Sequence, residues 1–335
     1  MPKPQIVFLV MSAVHSVDAV AELARALAPH TVLVHHDFSQ TPDFPLNEPN
    51  VVFVTDPKRT GWGIWGYVEG VFHGLEFAVR NLEFDYLQLL SPTCLPIKPL
   101  SAFTTHVAAG EAEVDFSGVE LLGDRDALMS VGYRAFAPEN SWRFRILRRL
   151  SQLYFGSSPH HRDVAGVQIR TRPSTDSRGR LPWKARLALL LTRAWSQPTI
   201  GRHPFGRSFP VSFGSAWFGA HRAVIAWLVE RFRQPDVQRW FPRMHIAEEF
   251  MIPTLLRNSP FSAGPYNHCI VTFIGPNPKR LTDEDFERLA QSPAFFARKF
   301  PEDPAAPIRR RVLSELVGTT TPARRRSKVA TVASV

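Results

Sequence analysis

Residues 6–10, Ile6-Val7-Phe8-Leu9-Val10, decide how the rest of the chain is read. Five apolar residues without a polar break suit a parallel strand buried on both faces; a half-solvated strand would alternate. Working outward, Ser16 or Asp18 is placed to cap a helix on which Val20, Leu23, Ala24 and Leu27 share one face. Residues 31–34 make a second strand ending in His35-His36-Asp37, and residues 51–54 a third. A helix over 65–79, with Val68, Val71, Phe72 and Leu75 inward, leads to a fourth strand at 86–90. Ser91-Pro92-Thr93 then turns the chain, stiffened by Pro96 and Pro99. Strands alternating with helices predict an α/β fold: a doubly wound, mostly parallel sheet flanked by helices in a single large domain. Ligands of such sheets bind beyond the carboxyl ends of the strands. His35, Asp37, Ser91 and Cys94 fall there.

From residue 115 to 207 the pattern loosens. A basic amphipathic helix is predicted over 142–154 and another over 186–195. Between them, residues 157–180 are rich in Ser, Pro, His and Arg and read as a long mobile loop. The basic helices suit either a solvated cationic face or an anionic membrane surface. Order returns with a strand at 210–218, a helix at 222–232, a short strand at 270–273 and a helix capped by Thr282 or Asp283. Residues 317–335 read as a disordered tail.

The chain has 335 residues, 44% of them hydrophobic, enough for one large domain. Its formal net charge of +10 suits anionic partners such as nucleotide diphosphates, anionic lipid or nucleic acid. No zinc-finger spacing, RNP motif or compact basic recognition helix is present, which speaks against nucleic acid. Two cysteines, Cys94 and Cys269, form no disulfide framework and lack metal-site spacing, as expected of a reducing compartment. The apolar run at 6–14 is too short for a membrane span, is broken by Ser12 and lacks a cleavage pattern.

One stretch carries chemistry. In Met244-His245-Ile246-Ala247-Glu248-Glu249-Phe250-Met251-Ile252-Pro253-Thr254 two adjacent carboxylates open a helix, where its dipole favours negative charge. Adjacent helical positions point about 100° apart, so one glutamate at most shares the buried face. Two solvated first-turn glutamates are the plain reading. A general base is the sharper one, since one well-placed carboxylate suffices.

Taken in order, five segments and a sixth near residue 300 resemble the core-2/I-branching glycosyltransferase family (glycosyltransferase family 14), which holds β-1,6-N-acetylglucosaminyltransferases and peptide O-xylosyltransferases. They are His35-His36-Asp37, Trp62-Gly63-Ile64-Trp65, Ser91-Pro92-Thr93-Cys94-Leu95-Pro96-Ile97, Gly214-Ser215-Ala216-Trp217-Phe218 with Arg222, Ala247-Glu248-Glu249-Phe250 with Thr254, and Phe296-Ala297-Arg298-Lys299-Phe300. The resemblance implies a GT-A fold and an inverting, metal-independent transfer of a sugar, GlcNAc or xylose, from a UDP-sugar to a glycan hydroxyl. It implies a transferase domain over 1–316, with a nucleotide-binding half at 1–110, a variable basic insert at 111–208 and an acceptor and catalytic half at 209–316. Glu249 takes the place of the family's base and Lys299 that of its diphosphate-binding lysine. His15, His35, Asp37, Trp62 and His268 are placed at the nucleotide. Glu120, Tyr133, Arg134, Ser215, Trp217 and Thr254 are placed at the substrate.

The departures are specific. Cys94 stands where the family has Asp, and Pro92 where it has Gly. The family's second diphosphate-binding Arg has no counterpart at Asn267-His268-Cys269, leaving His268, Lys279 or Arg280 to compensate. The chain lacks the anchor and the many cysteines of the eukaryotic members, so a bacterial, cytoplasmic relative is expected, in peripheral contact with the inner membrane if the basic helices dock. No cofactor is expected, the UDP-sugar being the substrate.

A glutamate, with a reference pKa of ~4.3, is ionised near neutral pH, and partial desolvation makes it a stronger base. A diphosphate leaving group needs its charge neutralised rather than a proton. Where a divalent ion does this, an Asp-x-Asp usually holds it. Asp124-Arg125-Asp126 and Asp283-Glu284-Asp285 have that pattern. The second reads as a helix cap. The first defines the competing expectation, a metal-dependent transferase. A further alternative, in another class, is a non-catalytic protein that binds UDP-sugar or glycan.

Overall fold

The computed structural model describes residues 3–156, 160–164, 166–172, 181–274 and 277–318. Its central sheet has seven strands in the order Ala263–Gly264, Val114–Asp115, Gly219–His221, Tyr86–Leu90, Ile6–Met11, Thr31–His35, Val51–Phe53. Strand Ile6–Met11 lies between Tyr86–Leu90 and Thr31–His35 and runs parallel to both, with Leu9 opposite Leu33 on one side and Leu89 on the other. All six of its residues are buried.

Period-two alternation divides the sheet's side chains between two cores. Val7, Leu9, Leu33, Leu87 and Leu89 pack with the helix Trp65–Asn81 through its Val68, Val71, Phe72 and Leu75. Phe8, Val10, Val32, Val34 and Leu90 pack on the opposite face with helix Val17–Leu27. The Ser16 hydroxyl caps that helix by accepting from Ala19 N at 3.2 Å. Val20, Leu23 and Leu27 are fully buried, each worth about 1.5–3 kcal/mol over an exposed position.

The architecture is mixed α/β in one domain with the expected mostly parallel sheet, in which Gly219–His221 runs antiparallel to both neighbours. Three sequence expectations are corrected. Residues 210–218 are not one strand: Ser212–Phe213 pairs with Val119–Glu120 in a separate ladder, and the sheet strand follows it. The short strand expected at 270–273 lies earlier, at His268–Ile270, where it pairs with Phe296–Arg298. In the stretch 157–180 a hairpin, His160–Val164 with Val167–Thr171, replaces the expected loop. Val167 and Ile169 bury one of its faces in the core, a non-local gain that local composition does not display. Residues 173–180 and 319–335 lie outside the described residues, and with them most of the expected tail.

The two basic helices form at Trp142–Phe155 and Trp183–Trp195 and pack on each other. Among the described residues no helix is long and apolar enough to cross a membrane.

Candidate functional site

Strands Ile6–Met11, Thr31–His35 and Tyr86–Leu90 all deliver their following loops to one edge of the sheet. Because Gly219–His221 runs the other way, the residues preceding it, Gly214–Phe218, arrive at that same edge. This places the Gly-Ser-Ala-Trp segment beside the loops that carry His15, Asp37 and Ser91.

Gly214 N donates to the Glu249 carbonyl at 2.8 Å. A Cβ on Gly214 would stand 2.0 Å from the Ser117 carbonyl, so no larger residue fits this approach. Three residues on, the Trp217 ring lies 4.5 Å beneath the Arg298 guanidinium. Three residue steps span at most ~11 Å of backbone. The Gly214–Trp217 segment therefore ties the helix of Glu249 closely to Arg298-Lys299.

Around Arg298-Lys299 the charge is positive. Burial, then Arg298 and Arg280, lower the Lys299 pKa. His15 pairs with Glu302 at 3.0 Å, yet burial, with Lys299 and Arg298 adding to it, outweighs that pairing and lowers the His15 pKa. Strand alternation would send Arg298 away from Lys299, but the strand ends at Arg298, and its charge acts on the same space. Arg298 Nε is buried without a hydrogen-bond partner among the described residues. An extended segment predicts that this arginine faces away from the site; its signal was a second cation directly after the apolar Phe296-Ala297.

The paired glutamates divide as their angular separation requires. Glu248, 7% exposed, is buried, and one of its carboxylate oxygens has no hydrogen-bond partner among the described residues. Burial, with Glu249 adding to it, pushes its pKa up to about 7. Glu249 keeps a third of its side chain exposed, and its carboxylate accepts from Arg134 Nη2 at 2.8 Å. Arg134 also donates to the His245 carbonyl and lies over the Phe250 ring. A residue placed at the acceptor is thus the partner that orients Glu249.

The other expected residues fall into three groups. Asp37 turns inward, accepting from Ser39 N and Oγ, Gln40 Nε2 and Thr60 N at 2.6–3.0 Å. Burial opposes its ionisation, but these bonds win and hold its pKa well below the usual carboxylate range. His35 accepts from Lys58 N at 3.1 Å, and burial drops its pKa to about 4. His268 is enclosed by Tyr266, Trp217 and Phe296, and burial, then Arg298, lowers it to about 3. It is neutral at pH 7 and supplies no charge for a diphosphate. Thr254 is wholly buried, and its hydroxyl bonds the Ser212 backbone, accepting from Ser212 N at 2.9 Å and donating to the Ser212 carbonyl at 3.2 Å. These four hold the loops and helices in place.

Ser215 and Trp217 lie in the segment that approaches Arg298, Ser215 Oγ accepting from Tyr266 Oη at 2.7 Å. Trp62 is 81% exposed, and its neighbour Gly63 abuts Ile246, just before the glutamates. Glu120 makes no side-chain bond among the described residues, whereas Tyr133 sets its ring edge-on to Phe144. The hairpin of the insert reaches over as well: Gly166, at φ +79°, packs so tightly on the Tyr266 ring that a Cβ would stand 2.5 Å from it.

Neither Asp-x-Asp presents a free pair of carboxylates. Asp124 caps helix Arg125–Ala135 by accepting from Asp126 N and Ala127 N, and pairs with Arg162. Asp126 accepts from Tyr154 Oη at 3.0 Å. Asp285 closes a capping box with Thr282 and pairs with Lys279 at 2.9 Å. Lys279 is thereby occupied, leaving Arg280 as the cation of that segment that acts on Lys299.

Glu248 yields a stability prediction. Its folded pKa, about 7, lies above its ordinary 4.5, so the native state holds the proton more tightly than the unfolded chain. Its contribution is complete below pH 4.5 and is lost as pH rises through about 7. The parent should lose roughly 2–3 kcal/mol between pH 5 and 8 through this group alone, a loss absent in Glu248→Gln. Denaturant unfolding of both proteins at the two pH values measures it; parallel pH profiles would show that Glu248 ionises freely.

No family model matches the chain, and no curated protein matches it. Among solved structures, the chain is similar to HddC from Yersinia pseudotuberculosis at 8% identity and a TM-score of 0.31, over 78% of this chain and 89% of that one.

Proposed function

We propose that the protein is an inverting glycosyltransferase of GT-A type that moves a sugar, GlcNAc or xylose, from a UDP-sugar to a glycan hydroxyl without a metal ion. The observation that carries this reading is the juxtaposition made by Gly214–Trp217: the backbone of the helix that bears the accessible Glu249 is tied by a short segment to Arg298, whose charge acts together with Lys299, Arg280 and His15. In that arrangement Glu249 removes the acceptor hydroxyl's proton as the oxygen attacks the anomeric carbon. The bond from that carbon to the UDP oxygen breaks on the opposite face, so the configuration inverts. The electron pair leaves with UDP, whose added negative charge Lys299 and Arg298 meet at fixed positions. Arg298 takes the part of the family's second diphosphate arginine from a different place in the chain. Arg134 holds Glu249 toward the acceptor, Trp62 offers an exposed apolar face, and Glu120 is free to bind acceptor hydroxyls.

UDP release measured across a panel of UDP-sugars tests the reading, because donor hydrolysis reports the sugar even without its acceptor. Turnover should survive EDTA. Asp124→Ala combined with Asp126→Ala should leave it within roughly tenfold of the parent, a barrier change of ~1.4 kcal/mol or less, because these carboxylates cap a helix and bond Arg162 and Tyr154. Turnover abolished in the folded double variant, and lost in EDTA but restored by Mn²⁺, would install the metal-dependent mechanism instead. UDP binding without turnover of any donor would make the protein a binding relative.

A further inference from the structure

Two helices of the insert present an apolar face to solvent, and the geometry points to the surface of an anionic phospholipid bilayer as what covers it. Helix Trp142–Phe155 exposes Trp142, Ile146 and Leu153. At 100° per residue these three lie within ~40° of one another, a single stripe. The side next to it, Leu147, Leu150 and Tyr154, centred roughly 90° around the helix, is the one buried in the protein. Helix Trp183–Trp195 buries small or polar residues, Ala185, Ala188 and Thr192, together with Leu189, and turns its Leu-rich side outward. Trp183 is 69% exposed and Leu190 65%, with Leu187 and Leu191 alongside. The two stripes are joined where the Trp142 and Trp195 rings meet edge to face, centroids 6.0 Å apart.

The charge selects the occupant. Neither helix contains an acidic residue. Arg145 and Arg149 border the first stripe, and Lys184 and Arg186 the second. Arg143 lies 5.4 Å from the Trp142 ring and Lys184 5.7 Å from that of Trp183, an apolar body with a cation beside it as at a membrane interface.

The turn that follows continues the surface. Arg143 donates to the Gly201 carbonyl at 3.0 Å and ties this turn to the first helix. Ile200 is half exposed there, and beyond it opens a pocket of about 530 Å³ lined in part by Arg202, Arg239 and Arg243. The pocket's carboxylate, Asp236, is paired with Arg231. Apolar stripes to enter the acyl boundary, cations to meet the headgroups and a neighbouring pocket lined by three arginines together match an anionic bilayer. A second copy of the chain would bring cations against cations. Nucleic acid would leave the leucines without a partner.

Flotation of the full chain with vesicles tests the proposal. Partition onto vesicles containing about one-third phosphatidylglycerol should exceed that onto pure phosphatidylcholine at least tenfold and should weaken between about 0.1 and 0.5 M NaCl. Trp183→Ser with Leu190→Ser should reduce partition roughly tenfold or more. Arg145→Glu with Arg149→Glu should reduce it about fivefold or more per position. All four residues are exposed, so the unfolding midpoints should stay at the parental value. Brominated lipids should also quench the parent's tryptophan fluorescence, a readout that needs no variant. Equal partition onto both vesicles, failure of the parent to float, parental partition by both variants or absence of quenching would each overturn the proposal. So would a dimer abolished by the Trp183→Ser, Leu190→Ser pair, or nucleic acid binding in place of vesicle binding.

Discussion

Glu249→Gln is expected to lower sugar transfer by roughly 10²–10⁴-fold while leaving UDP affinity essentially unchanged, because the amide cannot take the acceptor's proton. Geometry favours Glu249 over its neighbour. Glu249 is partly exposed and oriented by Arg134, whereas Glu248 is enclosed, with one oxygen unpartnered among the described residues. A pKa near 7 is attractive in a base, and Glu248 has it, but a base must first reach the proton. The parallel Glu248→Gln variant should therefore retain most of its turnover. Steady-state UDP release at saturating donor and calorimetric UDP titration of both variants decide the matter. Full activity in Glu249→Gln with loss in Glu248→Gln would move the role one residue back.

Lys299→Ala should weaken UDP binding and depress turnover together, the latter by roughly 10²–10³-fold, since the leaving diphosphate gains charge in the transition state that the ground state lacks. The cations crowded here make Lys299 more than a surface charge: burial, Arg298 and Arg280 together lower its pKa. Bringing these cations together is unfavourable without an anion, so one bound here relieves repulsion as well as gaining attraction. Lys299→Arg should rescue only partly, because a planar fork replaces a compact ammonium. Calorimetry with UDP beside single-turnover measurements separates the two effects. Unchanged affinity and unchanged turnover in Lys299→Ala would assign it a structural role.

Much of the fold was legible because hydrophobic periodicity is local. The run at 6–10 became the buried central strand, and Val68, Val71, Phe72 and Leu75 all faced inward. The alternation of strand and helix up to residue 90 was equally plain. What stayed hidden depended on partners distant in sequence. The hairpin at His160–Val164 and Val167–Thr171 forms in polar sequence because Val167 and Ile169 find the core. The antiparallel insertion of Gly219–His221 is a matter of pairing with Tyr86–Leu90, more than a hundred residues away.

For the site, the sequence by itself determined the cast of residues. Two adjacent glutamates at a helix start, a Gly-Ser-Ala-Trp segment and an Arg-Lys pair are chemical facts of the chain, and 100° per residue already required the glutamates to part company. Only the tertiary structure decided where each one stands. Burial took Glu248 into the interior and left Glu249 part-exposed with Arg134, and burying a carboxylate without a partner is costly. Loop closure spent the acceptor capacity of Asp37 on Ser39, Gln40 and Thr60, and the core took His268 as a neutral ring. Arg298 came to lie over Trp217, beside the charge of Lys299, because its strand ends there and alternation no longer applies. Side-chain type is written in the sequence; solvent, neighbours and direction are set only when distant segments meet.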